Sequence, residues 1–158
     1  MSKALYAGTF DPMTLGHEGV LRTASTVFDE VVLAVAQNTP KATLLSFEAR
    51  LQCAQAIARR YPNVQVVGFS GLLAHFLQET GIFTLVRGLR TGSDFDYELT
   101  MADANARLDN RIRTVFLPSP EGAHFVTGTL VREIWRLGGD VSKFVSPEVA
   151  AVLSQMKR

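Results

Sequence analysis

A chain of 158 residues, 47% hydrophobic and 20% charged, has the size and make-up of one globular domain with a substantial core, and lacks the charge excess and aromatic poverty of a disordered chain. Its formal net charge of +1 gives no overall field for holding nucleic acid or an anionic membrane, so any anion must be bound by local clusters of charge. No stretch approaches the roughly 20 apolar residues that span a bilayer, and the single cysteine, Cys53, excludes an internal disulfide and a cysteine zinc cage; a cytoplasmic protein without a signal peptide is expected, with Cys53 as a buried thiol.

Lys3 to Ala7 reads as the first strand, and the loop after it runs Gly8-Thr9-Phe10-Asp11-Pro12-Met13-Thr14-Leu15-Gly16-His17 into an amphipathic helix expected to begin at or near His17. Glycines at both ends of the loop let backbone approach a ligand. The helix start offers N–H groups and the positive end of the dipole to an anion, while His17 adds an imidazole donor and Thr9 a hydroxyl. Val31 to Ala36 is the second strand, apolar throughout as in a strand buried on both faces. The loop Gln37 to Leu45 carries Lys41, a mobile point charge suited to a phosphate, and leads to a helix starting near Ser46 with Phe47, Leu51, Ala54 and Ala58 as its apolar stripe.

Val64 to Gly68 is the third strand, followed by Gly71-Leu72-Leu73, where both leucines read as core or as contacts for a substrate arm. Thr84 to Arg87 is the fourth. In the loop Gly88 to Ser93, Arg87-Gly88-Leu89-Arg90 sets two guanidinium forks at the end of an apolar strand, suited to phosphate oxygens or, alternatively, to the acids Asp94, Asp96 and Glu98 just beyond. Phe95, Leu99, Ala102 and Ala106 form the next helical stripe, and Glu98 and Asn105 share a face two turns apart. Thr114 to Leu117 is the fifth strand. After the loop Ser119 to Gly128, Thr129 is expected to cap a helix striped by Leu130, Ile134 and Leu137, with Gly128 leaving room for an anion. Ser146-Pro147-Glu148 starts a last helix that runs to about Met156.

Strands alternating with helices predict one domain over residues 1–158, a parallel sheet covered by helices on both faces. Ligands of such sheets bind beyond the carboxyl ends of the strands, which selects these four loops. Neither a G-x-x-x-x-G-K-[ST] phosphate loop nor a G-x-G-x-x-G fingerprint occurs, which excludes a P-loop kinase and gives no support to a dinucleotide dehydrogenase.

Thr14-Leu15-Gly16-His17 resembles the (T/H)-x-G-H motif of a nucleotidyltransferase superfamily. From Tyr6 through Phe144, with Arg87-Gly88-Leu89-Arg90 and Asp94-Phe95-Asp96-Tyr97-Glu98 falling in order, the chain is similar to the bacterial phosphopantetheine adenylyltransferase family. The resemblance implies a Rossmann-like α/β fold with a five-stranded parallel sheet. It also implies transfer of the adenylyl group of ATP to 4'-phosphopantetheine, giving dephospho-coenzyme A and pyrophosphate in the penultimate step of coenzyme A synthesis.

On the same ground His17 would stabilise the transition state, with Lys41 and Arg90 as the other catalytic groups. Thr9, Lys41, Leu73 and Arg87 would bind the acceptor. ATP would meet Thr9, Phe10, His17, Gly88, Leu89, Arg90 and Glu98, and then Ala123, His124, Phe125, Val126, Thr127, Gly128 and Thr129, with His124 on the adenine side. Mg²⁺ would accompany the triphosphate through oxygens and waters without a protein metal site. The resemblance further implies a homohexamer and coenzyme A as a feedback ligand, with neither nucleic acid nor membrane as partner. Thr127-Gly128-Thr129 departs from the serine run of many relatives, and Gly71 stands where some carry an acid. The competing readings are a transferase acting on nicotinamide mononucleotide or a polyol phosphate, and a nucleotide sensor without turnover.

Overall fold

Runs such as Val31-Val32-Leu33-Ala34-Val35 can be buried on both sides only inside a sheet covered on both faces, and the chain builds one. In the computed structural model, which describes residues 1–39, 42–120 and 122–158, the order is β1 (Lys3–Gly8), α1 (Leu15–Val27), β2 (Glu30–Ala36), α2 (Phe47–Ala58), β3 (Val64–Phe69), α3 (Leu73–Thr80), β4 (Thr84–Leu89), α4 (Gly92–Leu108), β5 (Arg113–Pro118), α5 (Gly128–Arg136) and α6 (Pro147–Ser154). All strand pairings are parallel, in the order β3-β2-β1-β4-β5. The five expected strands are present, each extended by one or two residues.

The pairing is uneven. β1 and β2 stay in register from Lys3–Glu30 to Gly8–Val35, whereas β1 and β4 pair only at Leu5–Leu85 and Tyr6–Val86. Strand order reverses between β1 and β4, so their carboxyl ends part and leave a crevice at the topological switch point. On one face Leu21, Leu33, Ile57, Trp135 and Leu153 belong to a core made with α1, α2, α5 and α6. The other face is a smaller cluster in which Leu5, Leu85 and Ile112 meet Ala74 and Leu77 of α3. The Trp135 indole donates to Leu153 O at 3.1 Å, tying α5 to α6 and giving a buried polar group its partner. Cys53 is buried, as expected. No helix among the described residues is long and apolar enough to cross a membrane.

Several helical expectations need correction. α1 begins at Leu15, two residues before His17. α3, too short to show a clear helical period in the sequence, closes on Gly81 in the left-handed region, φ 71°. Leu72, expected as core or arm contact, is exposed at the α3 cap position. In α4, Phe95 and Leu99 are exposed while Glu98 and Asn105 are buried, because the inward face of this helix meets a polar cleft rather than the core. In α5 the buried residues are Val131 and Trp135, and Leu137, at 81% exposure, lies past the helix end. α6 stops at Ser154, short of Met156.

α1 and the loop after β5 approach closely at Gly19, where an added Cβ would lie 2.3 Å from Cγ of Pro120 and 2.4 Å from its Cδ. The proline ring cannot swing aside. Alanine in a helix interior normally stabilises by about 1 kcal/mol over glycine; here Gly19→Ala is expected instead to destabilise by about 1–3 kcal/mol through overpacking. Urea denaturation of Gly19→Ala, and of Gly19→Ala combined with Pro120→Ala, checks this. The double variant should recover the loss.

Candidate active site

The crevice between β1 and β4 is a cavity of about 560 Å³ walled by the ends of both strands and the first turns of α1, α4 and α5. The loop after β1 enters it through an unusual backbone: Phe10 is buried with φ 52°, a left-handed conformation that a bulky residue adopts only when its surroundings hold it there. Its ring packs edge-on against Tyr6 at 5.3 Å and His17 at 5.1 Å. Gly8 makes the room, since a Cβ there would sit 3.0 Å from Phe10 Cζ.

Thr14 caps α1. Its hydroxyl accepts from His17 N–H at 3.3 Å, and the Thr14 N–H donates to His17 Nδ1 at 3.0 Å, a capping box with histidine in the usual place of Glu or Gln. Because Nδ1 accepts a backbone N–H, the neutral ring must carry its proton on Nε2. A second proton would displace the Thr14 bond. Withdrawal from water, followed by the charges of Arg87 and Arg90, pulls the His17 pKa down to about 4. His17 is thus a neutral donor on the cavity wall. Part of the expected anion seat of N–H groups at this helix start is occupied, since Leu15 N–H is bonded to Phe144 O at 3.0 Å and His17 N–H to Thr14; Gly16 and the His17 imidazole remain on the cavity wall.

Both arginines at the end of β4, Arg87 and Arg90, reach the cavity, and both also pair with acids. Arg87 donates Nε and Nη2 to the two oxygens of Glu98, each at 2.9 Å, and Nη1 to Ala7 O at 2.9 Å across the parted strands. Arg90 is held by Asp94 through its backbone N–H (3.1 Å) and Nη2 (3.0 Å). The two readings of these arginines are therefore compatible, because each guanidinium keeps N–H groups beyond those used by its carboxylate.

At α5 the cap is Thr127 rather than Thr129, its hydroxyl accepting from Leu130 N–H at 2.9 Å. The Thr129 hydroxyl instead accepts from Arg132 Nη2 at 3.1 Å. Arg132, unremarked in the sequence, lines the cavity and also donates Nη1 to Asp11 O at 2.7 Å. Its signal was the three-residue spacing from Thr129, one helix face. Thr127, Gly128 and Thr129 present the positive end of α5 to the cavity.

Beside this cavity lies a second of about 340 Å³, where Phe69, Leu73, Leu85 and Met101 bring apolar surface and Thr9, Arg87 and Glu98 are shared with the first. Thr9, Phe10, His17, Gly88, Arg90, Val126 and Thr127 line the first cavity, and Leu73 the second. Leu89, Ala123, His124 and Phe125 are on neighbouring segments outside both walls. His124 Nε2 lies 2.9 Å from Ser119 O, and Phe125, 61% exposed, leans on Phe144. Lys41 lies outside the described residues.

Residues 5–134 match the cytidylyltransferase-like family. The phosphopantetheine adenylyltransferase of Azoarcus sp. (strain BH72) is 49% identical over 96% of this chain and 93% of its own, and that of Ralstonia pickettii (strain 12J) 48% identical over 96% and 91%. Among solved structures, a nicotinic acid mononucleotide adenylyltransferase of Plasmodium falciparum superposes with a TM-score of 0.72 over 97% of this chain and 94% of its own, at 15% identity, a likeness of fold.

The state of His17 is directly measurable. Nitrogen-15 NMR of the free protein should show the Nε2–H tautomer with a midpoint near 4 instead of the ordinary 6.5. Since the folded value is the lower, the unfolded chain takes up a proton the native state refuses, and stability falls as pH drops from 6.5 toward 4. A midpoint above 6, or an Nδ1–H ring, would contradict the capping geometry.

Proposed function

The chain belongs to the cytidylyltransferase-like family and, within it, to the phosphopantetheine adenylyltransferases; on that premise we propose that the parted ends of β1 and β4 bring ATP and 4'-phosphopantetheine together. The chain is a nucleotidyltransferase of coenzyme A synthesis. The observation that carries the substrate assignment within the cleft is the pairing of two unlike cavities, one polar and one with an apolar wall, joined at Thr9 and Arg87. A polyphosphate suits the first and a flexible arm ending in a phosphate suits the second.

The attacking group is a phosphate monoester with a second pKa of about 6, already anionic near neutral pH, so the reaction needs no protein base. The remaining tasks are to align two anions that repel each other and to stabilise charge at an in-line transition state. His17 fits the second task. A neutral ring locked as Nε2–H donates a hydrogen bond to an α-phosphate oxygen as its charge grows, without reorganising at that moment. Thr9 adds its hydroxyl, Arg87 and Lys41 hold the acceptor phosphate, and Arg90, Arg132 and the first turn of α5 hold the β- and γ-phosphates. Mg²⁺ enters with ATP as part of the substrate. The cleft carboxylates Asp11, Asp94 and Glu98 are each engaged by donors, so the ion's ligands on this reading are phosphate oxygens and waters.

The homohexamer that the resemblance implies would use the flank of α4 that carries the exposed Phe95 and Leu99, on the side away from the cleft-lining Tyr97 and Met101. Sedimentation velocity of the purified chain should give a six-chain species, and a monomer would remove assembly from the proposal. Pyrophosphate release should require ATP with 4'-phosphopantetheine; activity with nicotinamide mononucleotide alone would overturn the substrate reading. In the same assay His17→Ala should lower kcat about 10²- to 10³-fold while changing ATP affinity far less, because its contact strengthens in the transition state.

A further inference from the structure

One charged side chain beneath the cleft belongs to neither cavity wall. Arg50 of α2 is 2% exposed, the largest of the fully buried side chains, and it sits on the inward stripe with Cys53, Ala54 and Ile57. Among the described residues it forms no ion pair. Its donors go to backbone carbonyls: Nε to Leu45 O at 3.3 Å, and Nη1 to both Thr9 O at 2.9 Å and Ala36 O at 2.6 Å. Asp11 works on the same loop from the other side, its two carboxylate oxygens accepting Leu44 N–H and Leu45 N–H, each at 2.8 Å. The Leu44–Leu45 backbone is therefore held between a guanidinium and a carboxylate.

We propose that Arg50 is a positioning residue that sets the spacing between the nucleotide cavity and the acceptor cavity by clasping Thr9 to Ala36. The inference rests on the proposed division of the two cavities. Thr9 is part of both walls and Ala36 of the second only. One nitrogen joins their carbonyls, so the loop after β1 cannot drift from the end of β2 without losing charge-assisted bonds in a place that water does not reach. Burial of a guanidinium is costly, and an apolar residue of similar volume would fill the same space. The use of a fork that binds three carbonyls is to fix two loops whose relative position decides the reaction, since about 1 Å of misalignment between reacting groups costs about 100-fold in rate.

Arg50→Lys separates this role from simple support of the fold. It keeps the charge and most of the volume, but an ammonium on a flexible stem does not reproduce the planar fork. Leu45 O keeps a partner, the Thr43 hydroxyl at 2.6 Å, so the loss falls on Thr9 and Ala36. At saturating ATP and 4'-phosphopantetheine, kcat should drop about 10- to 100-fold, while the Kd for ATP by calorimetry stays within about threefold. Asp11→Asn, which leaves Arg50 in place and turns one oxygen into a donor facing an N–H, should lower kcat as well, though more weakly. The double variant should lose less than the product of the single losses, because both act on one loop. Wild-type kcat in Arg50→Lys, equal losses of kcat and ATP affinity, or fully multiplicative effects would each overturn the proposal. If Arg50→Lys does not fold by circular dichroism, Arg50→Gln, which removes the buried charge together with the fork, decides: lost kcat with retained ATP affinity supports the clasp, and unchanged kcat overturns it. A wild-type enzyme active only with another acceptor would refute the substrate reading instead, and the same variants would then be measured with that acceptor.

Discussion

The chemistry of this molecule depends on how briefly β1 and β4 remain paired. After Leu5–Leu85 and Tyr6–Val86 the ladder ends, and beyond it a side chain reaches across the gap, Arg87 onto Ala7 O. Backbone groups that would otherwise be spent on a neighbour become the rim of a cleft. Because β1 is the central strand, the rim lies over the best-packed part of the sheet, with Leu33 and Val86 wholly buried beneath it. A rigid floor and an open edge are thus made by the same strand.

Charge in the cleft is balanced before any ligand arrives. Arg87 faces Glu98, Arg90 faces Asp94, and Arg132 lies 3.9 Å from Asp11. Unpaired guanidiniums in a half-buried crevice would repel one another and destabilise the fold, and the carboxylates remove that cost. They also fix each fork in one orientation. The site therefore offers aimed donors rather than a strong net field, in keeping with a chain whose formal charge is +1.

Much of this was legible in the residues, and the exceptions share a cause. The strands stood out because a two-sided core forces continuous apolar runs, and the loops were located by the strand ends. Helix faces were less legible. The stripe of Phe95 and Leu99 has the right period for a core helix, yet the inward side of α4 is taken by Glu98 and Asn105, because it meets the cleft. Arg50 was missed for the converse reason: arginine on a helix is ordinarily solvated, and only its spacing of three and four residues from Cys53 and Ala54 marks it as inward. Thr127 rather than Thr129 caps α5 because the cap is chosen by extended backbone, φ −119° and ψ 157°, which composition does not display.

The bond from Thr14 N–H to His17 Nδ1 has one more consequence. Helix ends commonly fray, and a surface helix loses little when its first turn opens. In α1 that turn sets which ring nitrogen carries the proton, so fraying and loss of the Nε2–H tautomer are a single event. The turn is secured from a distance, with Leu15 N–H bonded to Phe144 O, and Phe144 lies in the segment leading to α6, whose Leu153 anchors Trp135. The segment from Phe144 onward, which lines neither cavity, thereby acts as the fastener that keeps one proton on Nε2 of one imidazole.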